Sequence, residues 1–179
     1  EVYNLEDALV VAQWMSVFLR RCDILEIACL AQIVNTISPL TTTRDGLLKQ
    51  TTYYPFVLFG QHASGVALQP LTSAPEYDTP QFGAMSLLDV SASYDADKDR
   101  GAVFIVNRSQ TETITIDLNW QDRVPKSITN VYQVTGNDPK MVNSFESPNN
   151  VVSVKVNAPK LSDKAATIKV PPLSFTAIE

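Results

Sequence analysis

A chain of 179 residues, 45% of them hydrophobic, has enough apolar material for a real core, as one large domain or as a domain with part of another, and is not a disordered composition. Its 14 basic and 19 acidic residues give a net charge of -5 without a basic cluster, which excludes nucleic acid as a partner because nothing is present to neutralise a phosphate backbone. No apolar run approaches the roughly eighteen residues a membrane span needs, so no membrane partner is expected.

The chain opens at Glu1, without Met and without a charged, signal-like leader, and enters a helical pattern within four residues. It reads as a fragment of a soluble protein, with cytoplasmic and secreted locations both open. Residues 4–21 form the clearest helix. Asn4 can cap its free amides, Glu6 and Asp7 put negative charge in the first turn, and Arg20 and Arg21 put positive charge in the last. Leu5, Leu9, Ala12, Met15 and Leu19, with Val10, Trp14, Val17 and Phe18, make an apolar face wide enough to be packed on more than one side.

Residues 24–35, ILEIACLAQIVN, form an aliphatic run after that helix, the pattern of a parallel strand buried on both faces. A two- or three-residue connection between helix and strand is α/β grammar. Ligands in such folds gather at the carboxyl ends of strands, which puts Gln32 and Asn35 where a site would be. Residues 36–50 read as a polar loop with turn signals at Pro39 and Asp45-Gly46. A second helix is expected from Thr51 or Thr52 to about Gly65, with Pro55 tolerated in its first turn.

From Val66 the period changes to two. Alternating segments at 87–94, 102–107, 113–119, 127–134, 151–157, 167–170 and 173–178, separated by turn-rich joints, predict half-buried antiparallel strands of a β-sandwich. Residues 71–83, with Pro75 and Pro80, read as an irregular crossover into it. The fold class is α/β followed by all-β, with domains at 1–68 and 69–179.

The chemistry-bearing residues are sparse. Asp95, Asp97 and Asp99 imitate the start of a calcium loop, but Arg100 stands where glycine is needed and Val106 where the bidentate Glu belongs, so a hairpin turn is expected. Asn107-Arg108-Ser109 fits a glycosylation sequon. His62, the one histidine, has no partner set for catalysis or metal binding and receives no chemistry. Cys22 and Cys29 read as two buried thiols. No metal or cofactor site is expected. Trp120, Tyr77 and Tyr132 could build a sugar-stacking platform, although aromatics in strands are more often core. Glycosidic chemistry asks for two carboxylates across the scissile bond. Here Glu26 lies early in the 24–35 run, where a surface pair is expected, and Asp45 sits in a turn, so no catalytic residue is assigned.

Four ordered blocks carry a resemblance. Residues 3–9 (YNLEDAL), 27–35 (IACLAQIVN), 50–56 (QTTYYPF) and 65–68 (GVAL) resemble the carboxyl-terminal part of the α-L-arabinofuranosidases of glycoside hydrolase family 51. The resemblance implies the last unit of a (β/α)8 barrel followed by a jelly-roll-like β-sandwich, in a retaining, exo-acting enzyme that releases terminal arabinofuranosyl groups from arabinan, arabinoxylan or arabino-oligosaccharides. It implies that the acid/base and nucleophile glutamates come from earlier barrel strands, outside this chain, so the chain alone is expected to be inactive. Gln32 matches the family glutamine that hydrogen-bonds the sugar, and Asn35 of the same block is a candidate for shaping that pocket. Leu48 stands where many relatives have a sugar-stacking tryptophan. The expected partners are an arabinofuranosyl oligosaccharide or polysaccharide and the amino-terminal portion of the same enzyme, with the full enzyme a homo-oligomer. A barrel glycosidase of other sugar preference and a non-catalytic carbohydrate-binding sandwich are the alternatives.

Overall fold

Asn4 caps the first helix reciprocally: its Oδ1 accepts from the Asp7 N–H at 3.0 Å while Asp7 Oδ2 accepts from the Asn4 N–H at 2.8 Å. This capping box fixes the start of α1 (Leu5–Arg20). The computed structural model describes residues 1–179. The elements that follow are β1 (Leu40–Thr42), β2 (Leu47–Lys49), α2 (Tyr53–His62), β3 (Val66–Leu68), β4 (Glu76–Thr79), β5 (Gly83–Ser86), β6 (Leu88–Asp95), β7 (Arg100–Asn107), β8 (Ile114–Asn119), β9 (Val131–Thr135), β10 (Ser153–Val156), β11 (Ala165–Val170) and β12 (Ser174–Ile178).

A six-stranded antiparallel sheet in the order β10-β9-β12-β7-β6-β3 forms the middle layer, and a β8–β11 ribbon covers one of its faces. Strand alternation sends Ile105, Val131 and Ile178 toward the ribbon, where they meet Ile168, Val170 and Ile116. The opposite row, Ala102, Phe104, Val106, Val134, Phe175 and Ala177, meets Leu5, Leu9 and Ala12 of α1 and Leu58 and Phe59 of α2. Phe59 stacks on Phe104 with centroids 4.0 Å apart and on Phe175 at 5.5 Å. The central strands are therefore buried on both faces, not half-buried, and every residue of β12 is inaccessible.

The helix-facing row of β6 is polar and receives α1 through hydrogen bonds. Asp89 accepts from Arg20 Nη1 at 2.6 Å and Arg108 Nη2 at 3.0 Å, Arg108 Nε donates to Gln13 Oε1 at 2.6 Å, and Ser91 Oγ donates to Ser16 Oγ at 3.0 Å. A polar side chain buried in a packed interface without such partners would be costly. Where α2 gives way to β3, Gly65 has φ +78 and a Cβ there would lie 2.2 Å from the Tyr94 carbonyl oxygen, so only glycine fits.

All seven strands expected from the period-two pattern are present, and the second helix ends close to its expected limit. The buried parallel strand expected over residues 24–35 is not formed. A strand gains its ladder only from neighbouring strands, and this segment has none: Val34 alone bridges in parallel, to Leu40, while Ile27 is 78% and Ile33 68% exposed. For the same reason Cys22 and Cys29 are exposed thiols, not buried ones, and Glu26 is exposed and unpaired. Residues 71–83 are not wholly irregular. They contain the start of the β4–β5 hairpin, turned by Thr79 Oγ1 accepting the Phe82 N–H at 3.0 Å and by Gly83 at φ +67. The 36–50 loop folds as a β1–β2 hairpin around the expected Asp45-Gly46 turn.

The three chemical motifs are structural. Asp95 accepts from Lys98 Nζ, the bond that chiefly lowers its carboxyl to a pKa of about 2, and from the Lys98 and Asp97 N–H groups, which make the acidic trio a turn. Asn107 is fully buried, and its Nδ2 donates to the carbonyls of Glu112, Val170 and Pro171, so the sequon is closed in the folded chain. His62 stacks on Tyr132 at 5.5 Å and lies 3.5 Å from Glu179, which Arg100 and Asn130 also hold. Burial, then the Arg100 guanidinium, push the His62 pKa below 6.5.

Two outcomes follow from the core. Phe59→Ala removes the ring joining α2 to the sheet and lowers stability by about 3–5 kcal/mol, read as a drop in denaturation midpoint. Because the folded state favours neutral His62, stability is full above pH 6.5 and declines as pH falls below it. Denaturation midpoints measured against pH show this acid-side decline in the parent and a shallower one in His62→Phe.

Candidate functional site

Gln32 and Asn35 lie on the exposed segment between α1 and β1, and the structure places them differently in chemical terms. The Gln32 side chain makes no hydrogen bond within the chain, leaving a neutral amide free to donate and accept. Asn35 is engaged. Its N–H donates to the Leu40 carbonyl at 2.7 Å, its Nδ2 donates to Thr42 Oγ1 at 3.1 Å, and its Oδ1 accepts from the Thr42 N–H at 2.8 Å. Asn35 and Thr36 have φ of 62 and 55, a left-handed pair that turns the chain back toward β1. Asparagine tolerates that region, whereas β-branched threonine pays strain there.

The β1–β2 hairpin is itself anchored by two buried amides. Gln50 Nε2 donates to the Ser38 carbonyl at 2.8 Å and Thr41 Oγ1 at 3.3 Å, and its Oε1 accepts from the Tyr3 N–H at 2.9 Å. Thr51 Oγ1 donates to the Asn4 carbonyl at 2.6 Å. From the sandwich, Asn143 Nδ2 donates to the carbonyls of Lys49 at 3.0 Å and Val151 at 2.8 Å, and Asn143 Oδ1 accepts from the Val151 N–H at 2.8 Å. A polar chain thus runs from the segment after Gln32, through β1–β2, to both the start of α1 and the sandwich.

Sequence reasoning missed Gln50 and Asn143. Gln-Thr-Thr before an apolar helix reads as a cap, yet Thr52 makes no cap hydrogen bond, and nothing local announces a glutamine that reaches back 47 residues to Tyr3.

Around Gln32 the arrangement can bind hydroxyl-bearing molecules but holds no acid–base pair. No group of three or more His, Cys, Asp or Glu is placed to hold a metal ion, and no helix is long and apolar enough to cross a membrane. Two shallow hollows, of about 450 and 300 Å³, lie elsewhere, one between β9 and β11 and the other beside α1 at Trp14. The candidate sugar platform does not assemble: Tyr132 belongs to the helix-side core, while Trp120 follows β8 in the ribbon layer and Tyr77 sits on the β4–β5 hairpin.

The fold and the exposed segment that carries Gln32 together define a helix-backed β-sandwich module with a polar edge. The sequence pattern of the α-L-arabinofuranosidase C-terminal domain matches residues 1–174, and the chain belongs to that family. It is 31% identical over 177 residues to an intracellular exo-α-(1→5)-L-arabinofuranosidase of Streptomyces lividans, covering 98% of this chain and 27% of that protein. It is 36% identical over 156 residues to α-L-arabinofuranosidase C of Emericella nidulans, covering 80% and 29%. Among solved structures, a family 51 α-L-arabinofuranosidase from Bifidobacterium longum superposes with a TM-score of 0.92 at 27% identity, over 99% of this chain and 35% of that one. The chain spans under a third of the length of these two curated relatives.

Gln50→Leu keeps the side-chain size while orphaning the Tyr3 N–H and the Ser38 carbonyl, at a cost of about 1–3 kcal/mol. Denaturation of the variant checks this.

Proposed function

We propose that this chain is the carboxyl-terminal portion of a retaining, exo-acting α-L-arabinofuranosidase. The whole enzyme removes terminal non-reducing α-L-arabinofuranosyl groups from arabinan, arabinoxylan or arabino-oligosaccharides. Family membership over residues 1–174 carries the reading, and the arabinofuranosidase names of the relatives support it. In this reading residues 1–68 supply the end of the (β/α)8 barrel, with β3 at their close also joining the sandwich sheet, and residues 69–179 supply the rest of the sandwich.

The exposed apolar strip supports the same view. Ile24, Ile27 and Ile33, together with Val10 and Trp14 on the outer face of α1, are large hydrophobic residues left uncovered by this chain. Large apolar residues left exposed in such number suit a docking face, and the amino-terminal portion of the same enzyme is the partner that would cover them. Residues 24–35 then gain strand neighbours on both sides. The whole enzyme is a soluble homo-oligomer in this reading.

Hydrolysis with retention needs two carboxyl groups about 5 Å apart at the carboxyl-terminal face of the barrel, and these come from the upstream portion. This chain's part is to hold the sugar. The Gln32 amide, with donor and acceptor both free, suits the vicinal hydroxyls of an arabinofuranosyl ring. Asn35 shapes the pocket edge.

A nitrophenyl α-L-arabinofuranoside assay tests the proposal. This chain alone gives no hydrolysis, the chain joined to its upstream portion is active, and Gln32→Ala in that joined enzyme lowers kcat/KM roughly tenfold to a hundredfold, as expected for the loss of a hydrogen bond in a closed site. Hydrolysis by the chain alone would remove the assignment of catalysis to upstream residues.

A further inference from the structure

We infer that Asn35 is a positioning residue that acts through Gln32: it pins the segment carrying Gln32 to β1 without itself contacting the sugar. The inference rests on the reading of Gln32 as the sugar-binding amide.

Three hydrogen bonds join this one residue to β1, from its N–H to Leu40 and from both ends of its amide to Thr42. A side chain whose donor and acceptor are both turned to the protein is poorly placed to serve as a ligand. It is well placed to fix its own backbone. Only two residues separate Asn35 from Gln32, and the one β-bridge in the segment, Val34 to Leu40, lies immediately beside Asn35.

On its other side β1 is not free to follow a moving loop. The buried Gln50 amide holds Ser38 and Thr41, and the buried Asn143 amide holds Lys49 at the end of β2. Position is thus passed from two buried anchors through β1 to Asn35, and from Asn35 to Gln32. A ligand amide must be held within about 0.5 Å of its productive place, and misplacement by about 1 Å can lower a rate a hundredfold.

In this chain by itself the bonds of Asn35 are solvent-exposed, and exposed bonds of this kind add little to global stability. Their loss should therefore leave the denaturation midpoint of this chain unchanged and appear instead in catalysis by the joined enzyme. Glycine keeps the left-handed backbone at position 35, so Asn35→Gly removes the amide alone. Asn35→Asp retains an oxygen that can accept from both the Thr42 N–H and the Thr42 hydroxyl.

The test is a double-mutant cycle in the full-length enzyme, with kcat/KM measured on a nitrophenyl α-L-arabinofuranoside. Asn35→Gly should lower kcat/KM about tenfold when Gln32 is present and less than about twofold in the Gln32→Ala background, because a residue acting through another loses its effect once that other is gone. Asn35→Asp should restore most of the activity. Thr42→Val, which removes the hydroxyl but keeps the Thr42 N–H bond to Asn35 Oδ1, should give a smaller loss with the same dependence on Gln32 and serves if Asn35→Gly fails to fold.

Equal losses from Asn35→Gly in both backgrounds, parental activity in Asn35→Gly, or an Asn35→Asp no better than the glycine variant would each overturn the inference while leaving Gln32 in the site. Parental activity in Gln32→Ala would instead remove the reading of Gln32, and this inference with it.

Discussion

The structure depends on one aromatic cluster, Phe59 of α2 stacked against both Phe104 of β7 and Phe175 of β12, their ring planes within 17° of parallel. Rings stacked this way bury large areas and restrict sliding between layers. Because β7 and β12 are neighbours in the sheet, with Ala177 opposite Phe104 and Phe175 opposite Val106, the contact sets the height and direction of α2. Leu5, Leu9 and Ala12 then dock α1 on the same surface. The helices and the sandwich accordingly share one core on either side of residue 68.

Apolar packing fixes distance but not register, and here polar groups supply the register. The Asp89 carboxylate between Arg20 and Arg108 aligns α1 along β6. The Gln50 amide aligns Tyr3, just ahead of α1, with the β1–β2 hairpin, and the Asn143 amide aligns that hairpin with the sandwich. Each is a group that cannot be buried without its partners, so a shift of one residue would leave charges or amides unpaired. The rim that carries Gln32 is thus tied to a rigid body although it is itself exposed.

Legibility from sequence followed the reach of the forces involved. The seven later strands were readable because alternation is a local property, and α1 because Asn4 and Asp7 sit three residues apart at its start. The reading of both faces was not available, since the burial of Ser174 and Thr176 comes from layers far apart in sequence. Residues 24–35 carry a strand's composition without strand neighbours in this chain, so propensity alone could not order them. The β4–β5 hairpin lacked any apolar alternation to announce it. Of the site, the resemblance singled out Gln32, whereas the engagement of Asn35 with Thr42 and the reach of Gln50 and Asn143 depend on backbone geometry that composition does not encode.

The burial of Asn107 constrains the order of events in any cell able to glycosylate the chain. Its amide nitrogen, the atom to which a glycan would be joined, lies where the β7 end meets Pro171 and the turn after Ser109. A glycan attached while the chain is still extended would have to occupy the place of those carbonyls, and β12 could no longer close beside β7. Folding and modification at this asparagine are mutually exclusive outcomes, and whichever comes first decides the fate of the molecule.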